Sequence, residues 1–516
     1  MESTFSYDKI PYPSKFFLQT HPDRLATIAT FSGMTPPTVE RCRVLELGCG
    51  NGSNLLFLAF NLPNAELVGI DLAANHIAYA KNAAHELNLS NTTFHQLDIM
   101  KMTADDFGKF DYIIAHGLYS WVPSVVREKV LSLCREMLVP NGVGYVSYNA
   151  YPGSHIRDMG HGIMRFHAQK FTEPMEKTRN AIAFLNFLNE NTSDTKIYQP
   201  MLQSEVERHF RHEAADIFHD DLAESYQAFY FHEFAAHLEK NDLKFLSEAE
   251  IHARSTQTFA PEVREFLDAI DDVIEREQYL DFLRGRVFRQ TLFCHREVTL
   301  NYGLEPSILD KFQLTSAIHP KSENPEFTTS KVEKFVGNKG LGIEINHPLT
   351  KTALFYLGQI WGQSIGFPEL LQTAKQMLEA QDFADKDWEA QLKTARAILF
   401  QICFNTDLID LSLYQPKAFT ESSEKPRINA LARWQLADAN NVATLLNKDI
   451  KIEDEVSRHL LELLDGTRNR HDLLTQMSEF IKTSDAVQDK QELLDNLPNW
   501  LEDSLSQLAR MGMFVS

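Results

Sequence analysis

Residues 44–54 read Val-Leu-Glu-Leu-Gly-Cys-Gly-Asn-Gly-Ser-Asn, an apolar run that passes into three alternate glycines and then a helix-like stretch. Without Cβ atoms at Gly48, Gly50 and Gly52, a loop backbone can come into van der Waals contact with a ligand. Its amides and the start of the following helix would face the ligand's negative end. A dinucleotide would suit the same spacing. Glu46 argues otherwise, because an acid directly before the glycines repels a pyrophosphate and can pair with an ammonium group. Asp71 closes the next apolar run, where a carboxylate can accept both hydroxyls of a ribose. Asp98, in Gln96-Leu97-Asp98-Ile99, closes the one after, placed to meet an adenine amino group.

The elements that must carry these residues alternate in type. Arg43–Leu47, Glu66–Asp71, Thr92–Asp98, Phe110–Ala115 and Gly142–Tyr148 read as short strands, with Asp111 near the start of the fourth. Helical stretches such as Asn54–Asn61 and Ala74–Leu87 lie between them. Strands separated by helices imply βαβ units and a parallel sheet, an α/β fold. From about 155 to 315 the strand signal fades, and Leu222, Tyr226, Phe229, Phe234 and Leu238 recur at helical spacing. A loop-rich stretch near 317–349 suggests a boundary, and helices follow to about 412. Near the end, Val456, Leu460, Leu461 and Leu464 stripe one helix, His471–Ile481 reads as a second, and Leu501, Leu505 and Leu508 mark a third. With Met513-Phe514-Val515 as a closing strand, this unit reads as winged-helix-like.

A ligand that offers an ammonium, a ribose and an adenine amino group in this order is S-adenosyl-L-methionine (AdoMet). Residues 26–150 resemble the class I AdoMet-dependent methyltransferases on these motifs. The resemblance implies a Rossmann-like sheet and cofactor contacts from Glu46, Gly48, Gly50, Asp71 and Asp98. Cys49, Asn54, Leu72, Ile99 and His116 are their neighbours in the same candidate site. It also implies a sheet closed by a β-hairpin. No hairpin signal follows Gly142–Tyr148, so the closing strands come from further along or are absent. The aromatic segment Phe5-Ser6-Tyr7-Asp8-Lys9-Ile10-Pro11-Tyr12, with Gln19-Thr20-His21-Pro22, reads as a lid over the cofactor or as an arm docked on another copy. Tyr7, Tyr12 and His21 are its candidate contacts.

The methyl acceptor belongs beside the loop His116-Gly117-Leu118-Tyr119-Ser120-Trp121-Val122-Pro123, after the fourth strand. It lacks the Asn/Asp-Pro-Pro-aromatic pattern of many amino-group methyltransferases, which speaks against adenine or glutamine acceptors. Tyr119 and Trp121 are the catalytic candidates, lining a transfer channel and stabilising a sulfonium cation; packing in the core is the other reading. Transfer itself needs alignment more than acid–base chemistry. A lysine acceptor must arrive neutral against a pKa near ~10.4. The segment Tyr148-Asn149-Ala150-Tyr151-Pro152-Gly153 is a second pocket candidate, and no general base stands out.

Composition bounds the alternatives. A net charge of −21 with no basic stripe excludes phosphate-backbone grip as the main activity, so no nucleic-acid partner is expected. The five cysteines are scattered, which points to a reduced, cytoplasmic protein, and no apolar run spans the ~20 residues a bilayer needs. His155, His161 and His167 lie six apart, off a common helical face, and no metal site is expected. Gly337-Asn338-Lys339-Gly340 lacks the strand-to-helix context of a phosphate loop.

Further blocks extend the resemblance over nearly the whole chain. Phe218–Leu222, Tyr230–Phe234, Leu243–Ala249 and Phe282–Leu292 look like a methyltransferase regulatory domain, and Leu463–Thr467 falls in the C-terminal unit. The arrangement is similar to rickettsial-type protein-lysine methyltransferases. It implies a homodimer and five regions: an N-terminal lid or dimerisation segment (1–25), an AdoMet-binding domain (26–150) and a helical dimerisation region (151–227). A middle domain (228–315) and a C-terminal domain (316–516) follow, the latter holding the winged-helix-like unit from about 430. The expected activity is methyl transfer from AdoMet to lysines of a protein substrate. A small-molecule methyltransferase and an AdoMet-binding scaffold without turnover are the alternatives.

Overall fold

Five strands follow the apolar runs: β1 (Arg43–Leu47), β2 (Glu66–Asp71), β3 (Thr92–Gln96), β4 (Phe110–Ala115) and β5 (Leu138–Asn149). They pair in parallel in the order β3-β2-β1-β4-β5. Val44, Leu45, Leu47, Ile113 and Ile114 are fully buried, as strands covered on both faces require. The computed structural model describes residues 15–515 apart from 211–213, 224, 304, 339, 415–418, 420 and 438. Tyr7 and Tyr12 lie outside the described residues. The chain divides into two units, Met1–Asn301 and Tyr302–Ser516.

The sheet does not end at β5. Strand β6 (Leu243–Glu248) and strand β7 (Phe288–His295) extend it antiparallel, in the order β5-β7-β6. The closing strands therefore come from about 100 residues downstream, inside the region whose strand signal fades in the sequence. Their alternation is masked because β6 reads Leu-Lys-Phe-Leu-Ser-Glu and carries a register shift between Phe245 and Ser247. A buried cation pins them. Arg289 on β7 is fully buried and reaches Glu248 at 2.7 Å, Asp281 at 2.8 Å and Glu277 at 3.0 Å. Its guanidinium also stacks on Phe231, 3.8 Å from the ring centroid.

Between β5 and β6 the chain is helical. Helices α1 (Ser154–Ala168), α2 (Pro174–Asn191), α3 (Tyr198–His209) and α4 (Ala214–Asp221) share a core of Met164, Ala181, Leu185, Leu202 and Ile217. The helix expected over 222–239 is broken. Helix α5 begins only at Phe231 and ends at Lys240. The preceding backbone bonds outward instead: Gln227 N–H donates to Ser120 at 2.8 Å, and Phe229 accepts from Tyr151 at 2.9 Å. Helix α6 (Val273–Arg284) precedes β7.

In the second unit the loop-rich stretch near 317–349 holds a small sheet of His319–Pro320, Glu333–Val336 and Gly342–Ile345. Its strands Glu333–Val336 and Gly342–Ile345 pair antiparallel, Val336 opposite Gly342. Helices Pro348–Gln359, Phe367–Glu379 and Trp388–Asn405 follow. The C-terminal stretch forms helices Glu455–Leu463, Arg470–Thr483 and Lys490–Arg510 with a hairpin of Asn441–Ala443 and Asp449–Lys451. Leu460, Leu473, Met477, Leu501, Leu505 and Phe514 fill its core. The expected final strand reduces to one bridge, Ile428 with Phe514.

Removing the buried cation leaves Glu248, Glu277 and Asp281 with Arg286, 2.8 Å from Asp281, as their remaining cation. Arg289→Ala is expected to destabilise the Met1–Asn301 unit by about 3–5 kcal/mol, read as a lower urea midpoint by circular dichroism. A midpoint within ~0.5 kcal/mol of wild type would mean the cluster does not hold the closing strands.

Candidate functional site

The glycine loop leaves β1 at the carboxyl edge of the sheet, where crevices outside strand ends bind ligands in open α/β sheets. Gly48, Gly50 and Gly52 all take positive φ, at 72°, 53° and 77°. A Cβ at Gly52 would lie 2.7 Å from Ala80 and Phe94, so only glycine fits there. A Cβ at Gly50 would meet nothing within 4 Å, so the loop stands open at that point. Gly50 N–H donates to Asp71 Oδ2 at 2.9 Å, and Ala73 N–H donates to Oδ1 at 2.8 Å. These bonds orient the Asp71 carboxylate and leave each oxygen a further lone pair. Leu72 beside it is exposed.

Glu46 is the unusual group. It is 3% exposed, and Asn54 Nδ2 donates to its Oε1 at 2.9 Å. Its Oε2 is buried and makes no hydrogen bond. Burial is the main cause that pushes this carboxyl up to about 8, Asn54 opposing and Asp71 adding to the shift. Cys49 beside it is buried, and its thiol is held well above the usual range by burial and by Asp71 and Glu46. Asp98 lies two residues beyond the end of β3 and caps the next turn, accepting from Met100 N–H at 2.9 Å. Ile99 is half-buried against the sheet core.

The segment before the sheet reaches this site through residues the sequence does not single out. Phe17 N–H donates to Asn54 Oδ1 at 2.9 Å, and Thr20 Oγ1 lies 3.1 Å from Asn54 Nδ2. The Phe17 ring covers His116, with centroids 3.8 Å apart. His116 Nδ1 lies 2.9 Å from the Tyr145 hydroxyl, and burial pushes its ring down to about 3, so it is neutral at pH 7. His21 spends Nδ1 capping the helix Pro22–Phe31 by accepting from Asp23 N–H at 3.1 Å; its Nε2 is buried without a partner. Burial likewise pushes His21 down to about 3.

The acceptor-side candidates part ways. Tyr119 is 1% exposed, packed between Phe229, Phe234 and Tyr148, and its hydroxyl pairs with His237. His237 in turn lies 2.8 Å from Glu128. This corrects the expectation of a channel-lining Tyr119: its ring is walled in by the core and its hydroxyl is already satisfied. Trp121 remains half-buried and packs on Tyr226, centroids 5.1 Å apart. Among the described residues one group could hold a metal ion, Glu205, His209 and Asp221. Arg208 bonds to both carboxylates and supplies the positive charge there.

Three family descriptions match the chain: "Methyltransferase domain" over residues 39–206, "Predicted methyltransferase regulatory domain" over 213–295, and "PKMT, C-terminal winged helix domain" over 424–513. An uncharacterized Rickettsia prowazekii protein is 34% identical over 382 residues, covering 72% of this chain and 68% of that protein. The structure of PKMT2 from Rickettsia typhi is similar with a TM-score of 0.87 at 28% identity, covering 98% of this chain and 100% of that one. PKMT2 in complex with AdoHcy matches with a TM-score of 0.86. The chain belongs to the class I AdoMet-dependent methyltransferases that carry a regulatory domain. Its cofactor is AdoMet.

The residues of this methyltransferase fit that cofactor. A buried carboxylate oxygen without a donor lacks what an ammonium N–H supplies, and the opening at Gly50 leaves room for the ligand. An ammonium beside Glu46 favours its ionised form, so binding near neutral pH releases a proton. AdoHcy affinity is therefore expected to tighten as pH rises from about 6 toward about 8, with proton release in calorimetry. Glu46→Gln is expected to weaken AdoHcy by about 10- to 100-fold and to flatten that pH dependence. Equal affinity and an unchanged profile in the variant would show that Glu46 does not meet the ammonium.

Proposed function

We propose that this methyltransferase transfers methyl groups from AdoMet to lysine side chains of a protein substrate. The observation that carries the reading is the agreement of fold with PKMT2 from Rickettsia typhi over 98% of the chain, together with the PKMT winged-helix match. In this reading the Glu46 carboxylate receives the AdoMet ammonium, Asp71 the ribose hydroxyls and Asp98, with Leu72 and Ile99, the adenine. His21 and His116 border the site, and Gly48, Cys49, Gly50 and Asn54 shape its floor. Bound AdoMet supplies an activated methyl group on sulfur. The protein's part is to align it with an acceptor at the carboxyl ends of β4 and β5 and to keep water away, which the seal of Phe17 over His116 favours.

The partner expectations rest on surface chemistry. No helix among the described residues is long and apolar enough to cross a membrane. Phe187, Ile197 and Phe210 are exposed at 56%, 68% and 77%, which supports a homodimer. Five buried thiols outside any disulfide support a cytoplasmic location.

The test is transfer of labelled methyl from AdoMet into a host lysate, split into protein and small-molecule fractions. Acid-stable label on lysine in discrete protein bands, lost with Glu46→Gln at limiting AdoMet, is the expected result. Label confined to the small-molecule fraction would replace the protein acceptor by a metabolite.

A further inference from the structure

A cleft of about 380 Å³ opens where the chain leaves β5, lined by Tyr151, Asp158, His161, Arg165, Phe166 and Tyr226. Asp158, His161 and Arg165 recur at three- and four-residue spacing on α1, so one helical face forms its wall. Gly162 on that face has nothing within 4 Å of a Cβ position, which keeps the cleft open. The opposite wall is aromatic. Tyr226 packs on His161 at 4.9 Å and on Trp121 at 5.1 Å, and Tyr151 packs on Tyr230 at 5.1 Å.

Three polar atoms converge here without a well-directed hydrogen bond. The Tyr151 hydroxyl donates to Asp158 Oδ2 at 2.7 Å, but Asp158 Oδ1 is buried and makes no hydrogen bond. The Tyr226 hydroxyl, near Asp158 and Ser154, makes no well-directed hydrogen bond, and neither does His161 Nε2. A buried carboxylate oxygen without a donor is costly, and a ligand with several N–H donors relieves it. Burial lowers His161 from its ordinary value, favouring the neutral ring. His155 stands 4.0 Å from Asp158 and is exposed to solvent, while Arg157 is bonded to Asn149 at 3.0 Å. Arg165 lines the same cleft, seven residues along the helix from Asp158, an axial rise of about 10 Å.

The cleft also sits on the reacting side of the sheet. Tyr151 lies two residues beyond β5, and Trp121 lies on the loop beyond β4 that begins with His116. Ser120, next to Trp121, ties that loop to both Asn149 N–H, at 2.9 Å, and Gln227 N–H, at 2.8 Å.

We propose that this cleft receives the acceptor side chain as a primary alkylammonium, with Asp158 as its counter-ion and Tyr151 and Tyr226 as its aromatic walls. The proposal rests on the protein-lysine reading and adds the residues that select for it. Asp158 acts here in binding, and the ammonium gives up its proton to solvent at the open cleft before transfer, because only the neutral amine has the lone pair that accepts the methyl. Tyr226 adds a hydroxyl acceptor and a π-face.

The test uses the full chain labelled with fluorotryptophan and saturated with AdoHcy. Trp121, one of five tryptophans, is identified by the resonance lost in Trp121→Phe. Titration with Nα-acetyl-lysine methylamide is expected to shift the Trp121 signal saturably, whereas the neutral Nε-acetylated analogue leaves it unmoved. Asp158→Asn should weaken the response at least tenfold while AdoHcy affinity stays at wild type. Tyr226→Phe, which keeps the ring, should weaken it about threefold and serves if Asp158→Asn does not fold. No shift, an equal response to the neutral analogue, or wild-type binding in a folded variant overturns the proposal. Labelled lysine in lysate protein with unchanged kcat/KM in Asp158→Asn removes the cleft and keeps the function. Charge-dependent probe binding with no protein label does the reverse.

Discussion

Burying one carboxyl at the end of β1 is the constraint around which this methyltransferase is built. In water the Glu46 side chain would ionise near its ordinary value, but here it is enclosed and keeps its proton to about 8. The unfolded chain has already released that proton at lower pH. Stability from this group therefore falls as pH rises from the ordinary carboxylate range toward 8. A group that costs the fold stability in this way is suited to a cationic ligand, which supplies the missing charge. Asn54 links the carboxyl to the segment Phe17–Thr20 through one amide side chain, so the acid, the helix after the glycines and the covering segment depend on one another.

The module described as regulatory is structurally part of the cofactor-binding sheet. Its two strands close that sheet, and its helices α5 and α6 supply Phe231 and two of the three carboxylates around Arg289. Thr291 Oγ1 donates to Glu248 at 2.7 Å, and the Tyr148 hydroxyl lies 3.3 Å from Thr291, so the buried ionic cluster extends to β5. His237 on α5 engages Tyr119 on the loop after β4. The module therefore packs against the loop that follows the carboxyl end of β4.

The glycine spacing and the five parallel strands were legible in the sequence because each is a local signal. A backbone that must approach a ligand needs glycine wherever φ is positive, and a strand covered on both faces reads as an unbroken apolar run. The C-terminal winged-helix-like unit was legible for the same reason, from leucine stripes at helical period. Tertiary structure decided what depends on distant partners. Strands β6 and β7 carry polar residues that are acceptable only because Arg289 and Glu248 neutralise each other inside. Tyr119 and Trp121 are two residues apart in one loop, yet one became core and the other half-exposed, because Phe234 and His237 arrive from over 100 residues away. Thr20 rather than His21 meets Asn54, since the helix that begins at Pro22 claims the imidazole as its cap. Residue type and spacing determined which ligand the loop can hold; long-range packing, which no local pattern encodes, decided which neighbours surround it.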